Sequence, residues 1–281
     1  IAAWEKRIKA SWKKGGALAY RNLKQISFAP PQTMILPDGQ ITGNVTRILR
    51  AVASLWQKHF NAYTIEDAPK WETFWARYGD LLHTRGAPHP HTPLQADHLQ
   101  RVIDSWSTTT KGGVDGWTVA EFKVLTPFML DRLLEILAVV EETGRWPTGI
   151  LRGRIALGDK GEGPGAEARR PITVLSLLYR LWGSAQLTLL EPWTMTWLHD
   201  SCGAIPGAGA NECWVAISLK LEHAFLTQAD LLGIALDYKK AFDRVPRDIV
   251  YGLLEKWGLP TELLRPIQDF YGRCTRSFCI G

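Results

Sequence analysis

The sequence predicts an α+β fold in which helices outnumber strands. Apolar residues recur at helical spacing in several stretches, for example at Ile48, Val52 and Trp56. Two stretches differ from this pattern. Residues 150–175 contain short β-like pieces around a glycine-rich segment, and Leu232–Leu236 form an apolar run typical of a fully buried strand.

The composition is that of an ordinary folded protein. Hydrophobic residues make up 46% and charged residues 22% of the 281 residues. No apolar run reaches the ~18 residues of a membrane span, and the sequence has no signal-peptide pattern. We therefore expect neither a membrane protein nor a secreted one, and the sequence leaves nucleus and cytoplasm open.

The first third of the chain is predicted to be helical after a turn-rich start. A Pro-Asp-Gly run at 37–39 indicates a turn between two short segments. One helix is expected from Asn44, and a second one near 69–83. The segment Gly86–Pro93 then interrupts the helical pattern with glycine and proline, which predicts a domain boundary.

We place this boundary between a basic helical extension, 1–92, and a second unit, 93–281. Residues 1–60 contain ten basic and two acidic residues, whereas acidic residues slightly outnumber basic ones in the remainder. A basic arm on a near-neutral body suits contact with a phosphate backbone, and a solvated helical face gives the same pattern. The histidines of the boundary segment are interpreted as part of a linker, with a metal site as the alternative.

The second unit is predicted to combine several helices with short strands. Helices are expected at 176–197, 247–257 and 261–271, and a strand at 273–280. Other helices are predicted from their capping residues or from proline at the first helical position. These predicted starts are Thr92-Pro93, Thr118 with Glu121, Thr126-Pro127 and Asn211.

The run GIALDYKKAFDRVPR carries the clearest chemical signal. The strand predicted at Leu232–Leu236 delivers Asp237 at its carboxyl end. A buried, unpaired carboxylate is costly, and a bound divalent cation offsets that cost. The alternative is that Asp237 caps a turn or pairs with Lys239 or Arg244.

This run closely resembles the first palm motif of reverse transcriptases, particularly those of non-LTR (LINE-like) retrotransposons. In that family a strand-borne aspartate is followed by a Lys-Ala-Phe-Asp segment and usually by Val-Pro. The resemblance implies that Asp237 is the catalytic aspartate and binds Mg²⁺. It also implies that the backbone carbonyl of Tyr238 adds a metal ligand.

The resemblance further implies a nucleotide-binding site. Phe242 corresponds to the steric gate that selects deoxynucleotides, while Lys240 and Ala241 would offer backbone N–H groups to the triphosphate. The upstream run RRPITVLSLLYR resembles the fingers motif of the same enzymes, in which Arg170 would grip triphosphate oxygens. Lys160 is the second phosphate candidate, but Gly-Asp-Lys replaces the usual Ile-Pro-Lys, and a solvated loop lysine is the alternative.

Two more segments keep the family order. Lys111–Trp117 resembles the glycine-containing loop that opens the fingers, and Lys111 is the candidate contact to the template. Cys202–Asn211 resembles the segment before the helix that leads to the palm. Ile205 and Ala208 replace its usual arginines, so a template contact there is in doubt.

Together these segments match residues 108–281 and imply polymerase fingers and a partial palm after the helical extension. The implied function is that of an RNA-directed DNA polymerase, which extends a DNA primer on an RNA template with deoxynucleoside triphosphates and Mg²⁺. The Asp-Asp hairpin that completes the family's metal site would follow Gly281. We therefore expect the 281-residue piece to be inactive alone.

Two other functions are open at this point. The substituted arginines and the basic first 60 residues also suit a non-catalytic nucleic-acid-binding remnant of a retroelement. A tryptophan-rich helical scaffold that packs on a partner is the other possibility.

Overall fold

The computed structural model describes residues 33–63, 68–82, 87–159, 163–197, 209–238 and 240–279. Within these ranges the chain forms helices and short strands, which confirms the mixed α+β class. The arm at 1–32, Lys160 and most of the Cys202–Asn211 segment lie outside the described residues.

The elements of the described ranges follow the predicted order with few exceptions. The strands are β1 (Met34–Ile35), β2 (Ile41–Thr42), β3 (Arg152–Asp159), β4 (Arg169–Val174) and β5 (Thr275–Phe278). The helices are α1 (Val45–Phe60), α2 (Trp71–Tyr78), α3 (Ala96–Ser105), α4 (Val119–Phe122), α5 (Pro127–Thr143), α6 (Leu177–Trp197), α7 (Ala210–Thr227), α8 (Ala241–Arg244), α9 (Arg247–Lys256) and α10 (Thr261–Arg273).

Several helices begin or end at the predicted residues. In these cases the capping contact joins residues within one helical turn. The Asn44 side chain accepts a hydrogen bond from the backbone N–H of Arg47 at 3.1 Å. Thr118 and Glu121 form the predicted capping box of α4, and these bonds from Thr118 lower the pKa of the Glu121 carboxyl. Gly144 ends α5 in the left-handed conformation at φ +71°.

A three-stranded sheet joins the middle of the chain to its C-terminal part. Strand β3 lies at the centre, with β4 antiparallel on one side and β5 parallel on the other. Gly158 lies opposite Arg170, and Ile155 lies opposite Phe278. The sheet therefore places β3 between the strand that carries Arg170 and the strand that follows α10.

Two apolar clusters hold these layers together. The larger one contains buried side chains of the helices, among them Leu99, Leu137, Leu181, Leu263 and Phe270. The smaller one packs α1 on the outer part of the sheet and contains Met34, Ile48, Val52, Trp56 and Leu157. The face of α1 predicted from helical spacing is thus buried against β3, which belongs to the predicted second unit. The position of the domain boundary remains a prediction.

The boundary segment packs on the helices as a strap without regular secondary structure, residues 87–95. Its His89 backbone N–H donates to the Gly258 carbonyl at 3.0 Å, and the indole N–H of Trp193 donates to the Ala87 carbonyl at 3.0 Å. Burial, with a smaller contribution from His91, lowers the pKa of His89. The strap therefore packs on α6 and on the turn between α9 and α10.

The strap corrects one predicted helix start. Thr92-Pro93 do not begin a helix. Residues 87–95 have no regular secondary structure, and long-range hydrogen bonds hold the strap at Ala87 and His89. Helix α3 begins at Ala96 instead, after Gln95. The Gln95 backbone N–H donates to His98 Nδ1 at 3.1 Å, which supplies the cap. Asn211 was also predicted as a cap, and it lies inside α7.

The buried strand predicted at Leu232–Leu236 is wrong for this structure. The backbone from 229 to 238 is neither helix nor strand, and its apolar side chains face solvent, with Leu232 96% exposed. A strand needs backbone partners on a neighbouring strand, and within the described ranges none pairs with this segment. An apolar run alone does not supply them.

Candidate nucleotide-binding site

Asp237 ends a segment without regular secondary structure, and the short helix α8 begins at Ala241. Asp237 is exposed and makes no hydrogen bond or ion pair within the part of the chain that the structure describes. Lys240 adopts the left-handed conformation at φ +55° and precedes α8, and its carbonyl accepts from the Asp243 backbone N–H at 3.1 Å. Asp243 thus takes part in the turn through its backbone.

Lys240 also joins the turn to the N-terminal part of the chain. Its ammonium nitrogen lies 4.2 Å from the centroid of the Trp56 ring, a cation–π contact with α1. Phe242, two residues on, has a ring that is 99% exposed. The Lys240 side chain therefore packs on the buried Trp56, whereas the exposed Phe242 ring is able to contact a ligand. Ala241 is the first residue of α8.

The candidate phosphate contact Arg170 lies on the sheet. It is exposed on β4, where strand alternation places it on the face opposite the buried Arg169. The second candidate, Lys160, follows β3 and lies outside the described residues. Within the described ranges no hydrogen bond or ion pair joins Arg170 to Asp237 or Phe242, so the structure does not bring these candidates into direct contact.

Two arginines hold the loop Lys111–Trp117: Arg180 on α6 and Arg154 on β3. Arg180 donates to the Lys111 carbonyl at 2.9 Å, and Arg154 donates to the Gly112 carbonyl at 3.3 Å. Partial burial lowers the pKa of the Arg180 guanidinium, which stays charged at neutral pH. The Lys111 side chain is exposed, as a template contact requires.

We expect Gly113→Ala to destabilise this loop. A Cβ at Gly113 would lie 2.7 Å from the Ser176 backbone nitrogen and 2.9 Å from the Leu175 carbonyl carbon, and backbone atoms cannot move aside easily. The expected loss in the free energy of unfolding is about 1–3 kcal/mol, measured by urea denaturation. Gly149→Ala is the control, because its Cβ would meet nothing within 4 Å. Equal stability of the two variants would contradict the packing described here.

Asp237 is not part of a cluster of metal-binding side chains among the described residues. No three His, Cys, Asp or Glu side chains in the described ranges are arranged to hold a metal ion together. Asp237 would supply one carboxylate, whereas Mg²⁺ sites use further oxygen ligands from carboxylates, phosphates and water. No chemical step through a metal follows from this part of the chain.

Sequence reasoning missed a buried polar network between α5, α6 and the strap. The Glu141 carboxylate accepts from the Trp182 indole at 2.8 Å and from the Gln186 amide at 2.5 Å, and its other oxygen lies 3.0 Å from His91 Nε2. Glu141 sits among apolar residues of α5, and a single glutamate there gives little signal in the sequence. A histidine in the boundary segment was noted, but its partner is 50 residues away.

A second missed feature is a cleft that collects arginine and aromatic side chains beside α8. It lies between the end of α1, helices α9 and α10, and β5, and it encloses about 680 Å³. Three arginines, Arg244, Arg247 and Arg276, line it. Arg244 and Arg247 lie shortly after Phe242 in the sequence, whereas Arg276 lies on β5. The sequence therefore does not show that the three arginines line one cleft, here called the arginine cleft.

The fold and these features define a mixed α+β protein with an exposed aspartate turn and an arginine-bearing sheet. No family model matches the chain. It is 24% identical over 182 residues to the transposon TX1 uncharacterized 149 kDa protein of Xenopus laevis. The match covers 64% of this chain and 14% of that protein. The chain is thus similar to part of a transposon protein, and the similarity does not extend to an activity.

None of the helices in the described part of the chain is long and apolar enough to cross a membrane.

Proposed function

We propose that the chain is a segment of a reverse transcriptase, an RNA-directed DNA polymerase with a fingers and palm architecture. The observation that carries the proposal is the sequence run from Asp237 to Arg247, in which the aspartate is followed closely by the aromatic residue Phe242 at the start of α8. The segments around Lys111 and Arg170 precede it in the family order. Similarity to a transposon protein supports the same assignment.

In this proposal Asp237 is the catalytic aspartate and Mg²⁺ is the cofactor. Asp237 and the Tyr238 carbonyl would contribute ligands, and the remaining ligands must come from other residues or from the substrate. The exposure of Asp237 and its freedom from hydrogen bonds in the described ranges are compatible with this role, because no local partner competes for the carboxylate.

The incoming deoxynucleoside triphosphate would be held by three groups. Arg170, and Lys160 beyond the described residues, would contact phosphate oxygens, for which a guanidinium is suited by its fixed charge and planar fork. The backbone at Lys240 and Ala241 would donate N–H groups to the same oxygens. Phe242 would lie under the sugar and exclude a 2′-hydroxyl, while Lys111 would contact the RNA template opposite a DNA primer.

The test is substrate selection by Phe242 variants, measured in the complete open reading frame that contains this chain. We expect Phe242→Val to lower the preference for deoxynucleotides over ribonucleotides by roughly 10²-fold, because a smaller side chain admits the 2′-hydroxyl. The variant should fold normally, since the ring is 99% exposed and contributes nothing to the core.

Phe225→Val on α7 is the matched control, because its ring is also exposed, at 76%. It should leave the preference unchanged. If the complete protein incorporates no nucleotide at all on a primed RNA template, or if Phe242→Val keeps the original preference, the proposal fails.

A further inference from the structure

Helix α5 is apolar on two sides, and one of these sides faces solvent. Leu130 and Leu137 point into the main apolar cluster and are nearly fully buried. Phe128, Ile136 and Val139 lie on the other side of the helix and are 69%, 48% and 55% exposed. A helix that packs only on its own domain has one apolar stripe, so the second one indicates a contact surface.

An apolar groove of about 580 Å³ borders this exposed side near the end of α5. Ile136 and Val139 line it, together with Val140, Trp146 and Pro147. Val140 and Trp146 are each 2% exposed, so the groove reaches the edge of the core. The groove has room for an aromatic side chain.

The groove and Phe128 are arranged for reciprocal contact between two copies of the helix. Phe128 is the second residue of α5, and Val139 of the groove lies roughly 17 Å further along the helix axis. A two-fold axis halfway between them would place two copies of α5 antiparallel. Because each copy in a two-fold contact presents the same surface, each Phe128 would then meet the groove of the other copy.

The charges between these two points fit the same two-fold axis. Arg132 and Glu135 lie on the exposed side, 56% and 58% exposed, and form an ion pair at 2.6 Å within one copy. Their midpoint along the chain, between residues 133 and 134, is also the midpoint of Phe128 and Val139. In an antiparallel pair Arg132 of each copy would therefore meet Glu135 of the other, so that opposite charges face each other twice.

We propose that a second copy of the chain docks antiparallel on α5, with Phe128 of each copy in the groove of the other. The five exposed side chains named on this surface would bury roughly 1,000 Å² in total, which is about the lower limit for a specific interface. We therefore expect a reversible dimer with a Kd on the order of 10 µM. The inference goes beyond the proposed function, because self-association requires neither a nucleotide nor a template.

The experiment is sedimentation velocity of the 281-residue chain over concentrations that bracket this Kd. The unchanged chain should shift from monomer to dimer as its concentration rises. Phe128→Asp should raise the dimer Kd at least roughly tenfold, because it places a charge in the apolar groove. The variant should fold normally, since the ring is largely exposed.

Phe225→Asp on α7 is the matched control, because the Phe225 ring is also exposed, at 76%, and other apolar side chains of α7 are exposed as well. It should leave the dimer Kd unchanged. If it weakens association as much as Phe128→Asp does, the copies associate through other apolar surfaces and the proposal is overturned.

A charge exchange tests the antiparallel pairing itself. Arg132→Glu and Glu135→Arg should each raise the dimer Kd roughly tenfold, because like charges then meet across the axis. An equimolar mixture of the two variants should restore the original Kd, since a mixed dimer has two Glu–Arg contacts again. Failure of the mixture to associate would overturn the proposal. A chain that stays monomeric at every concentration would also overturn it and would leave this surface to residues 1–32 or to a different protein.

Discussion

Asp237→Asn is expected to abolish nucleotide incorporation by the complete open reading frame that contains this chain. Asparagine keeps the shape of the side chain and removes its charge, and an amide is a weaker ligand than a carboxylate for a hard cation. Because phosphoryl transfer depends on positioning and charge neutralisation, we expect the rate to fall by roughly 10²–10³-fold or more. The rate is measured on an RNA template with a DNA primer.

The structure makes this variant easy to interpret. Asp237 is exposed and has no partner in the described ranges, so its replacement should leave the thermal unfolding midpoint unchanged. Asp230→Asn is the control, since Asp230 is exposed on the same segment and belongs to no motif. Full activity of Asp237→Asn would remove this aspartate from the mechanism and would favour a nucleic-acid-binding remnant.

Glu141→Ala is expected to have the largest effect on stability. The carboxylate is 5% exposed and is the common acceptor for Trp182 and Gln186, and it also contacts His91. Its removal leaves buried donors without a partner and opens a cavity. We expect the free energy of unfolding to fall by about 3–5 kcal/mol, measured by urea denaturation at neutral pH.

The neighbouring Glu142 gives a matched control on the same helix. It is exposed and has no partner in the described part of the chain, so Glu142→Ala should change stability by less than about 0.5 kcal/mol. The two variants remove the same group one position apart. Similar losses would mean that the network of Glu141 does not hold the strap on the helical layer.

Sequence predictions were correct where the stabilising contacts join residues close together in the sequence, and incorrect where the contacts join distant residues. Asn44 with Arg47, and Thr118 with Glu121, are three residues apart, and their hydrogen bonds form within a single helical turn. Such caps can be predicted from the sequence because both partners are visible in one short window. Thr92 looks like an equally good cap, but it lies in the strap, which has no regular secondary structure and is held at His89 by the distant Gly258.

In the candidate site, too, the sequence predicts the features that depend on neighbouring residues and misses those that depend on distant ones. The identity of Asp237 and Phe242, and their spacing on one turn, were available from the sequence. The cation–π contact between Lys240 and Trp56 was not, because the two residues are far apart in the chain and meet only through α1 packing. The arginine cleft depends in the same way on β5 pairing with the central strand β3.

By itself, the sequence determined the helices, the β3–β4 hairpin and the order of the motif residues, because periodicity and capping act over a few residues. Tertiary structure alone decided that residues 87–95 form a strap and that Arg244, Arg247 and Arg276 share one cleft. It also decided that the apolar run at Leu232–Leu236 is not a strand here. Each of these depends on backbone or side-chain partners from distant parts of the chain, and no local pattern encodes where such partners will lie.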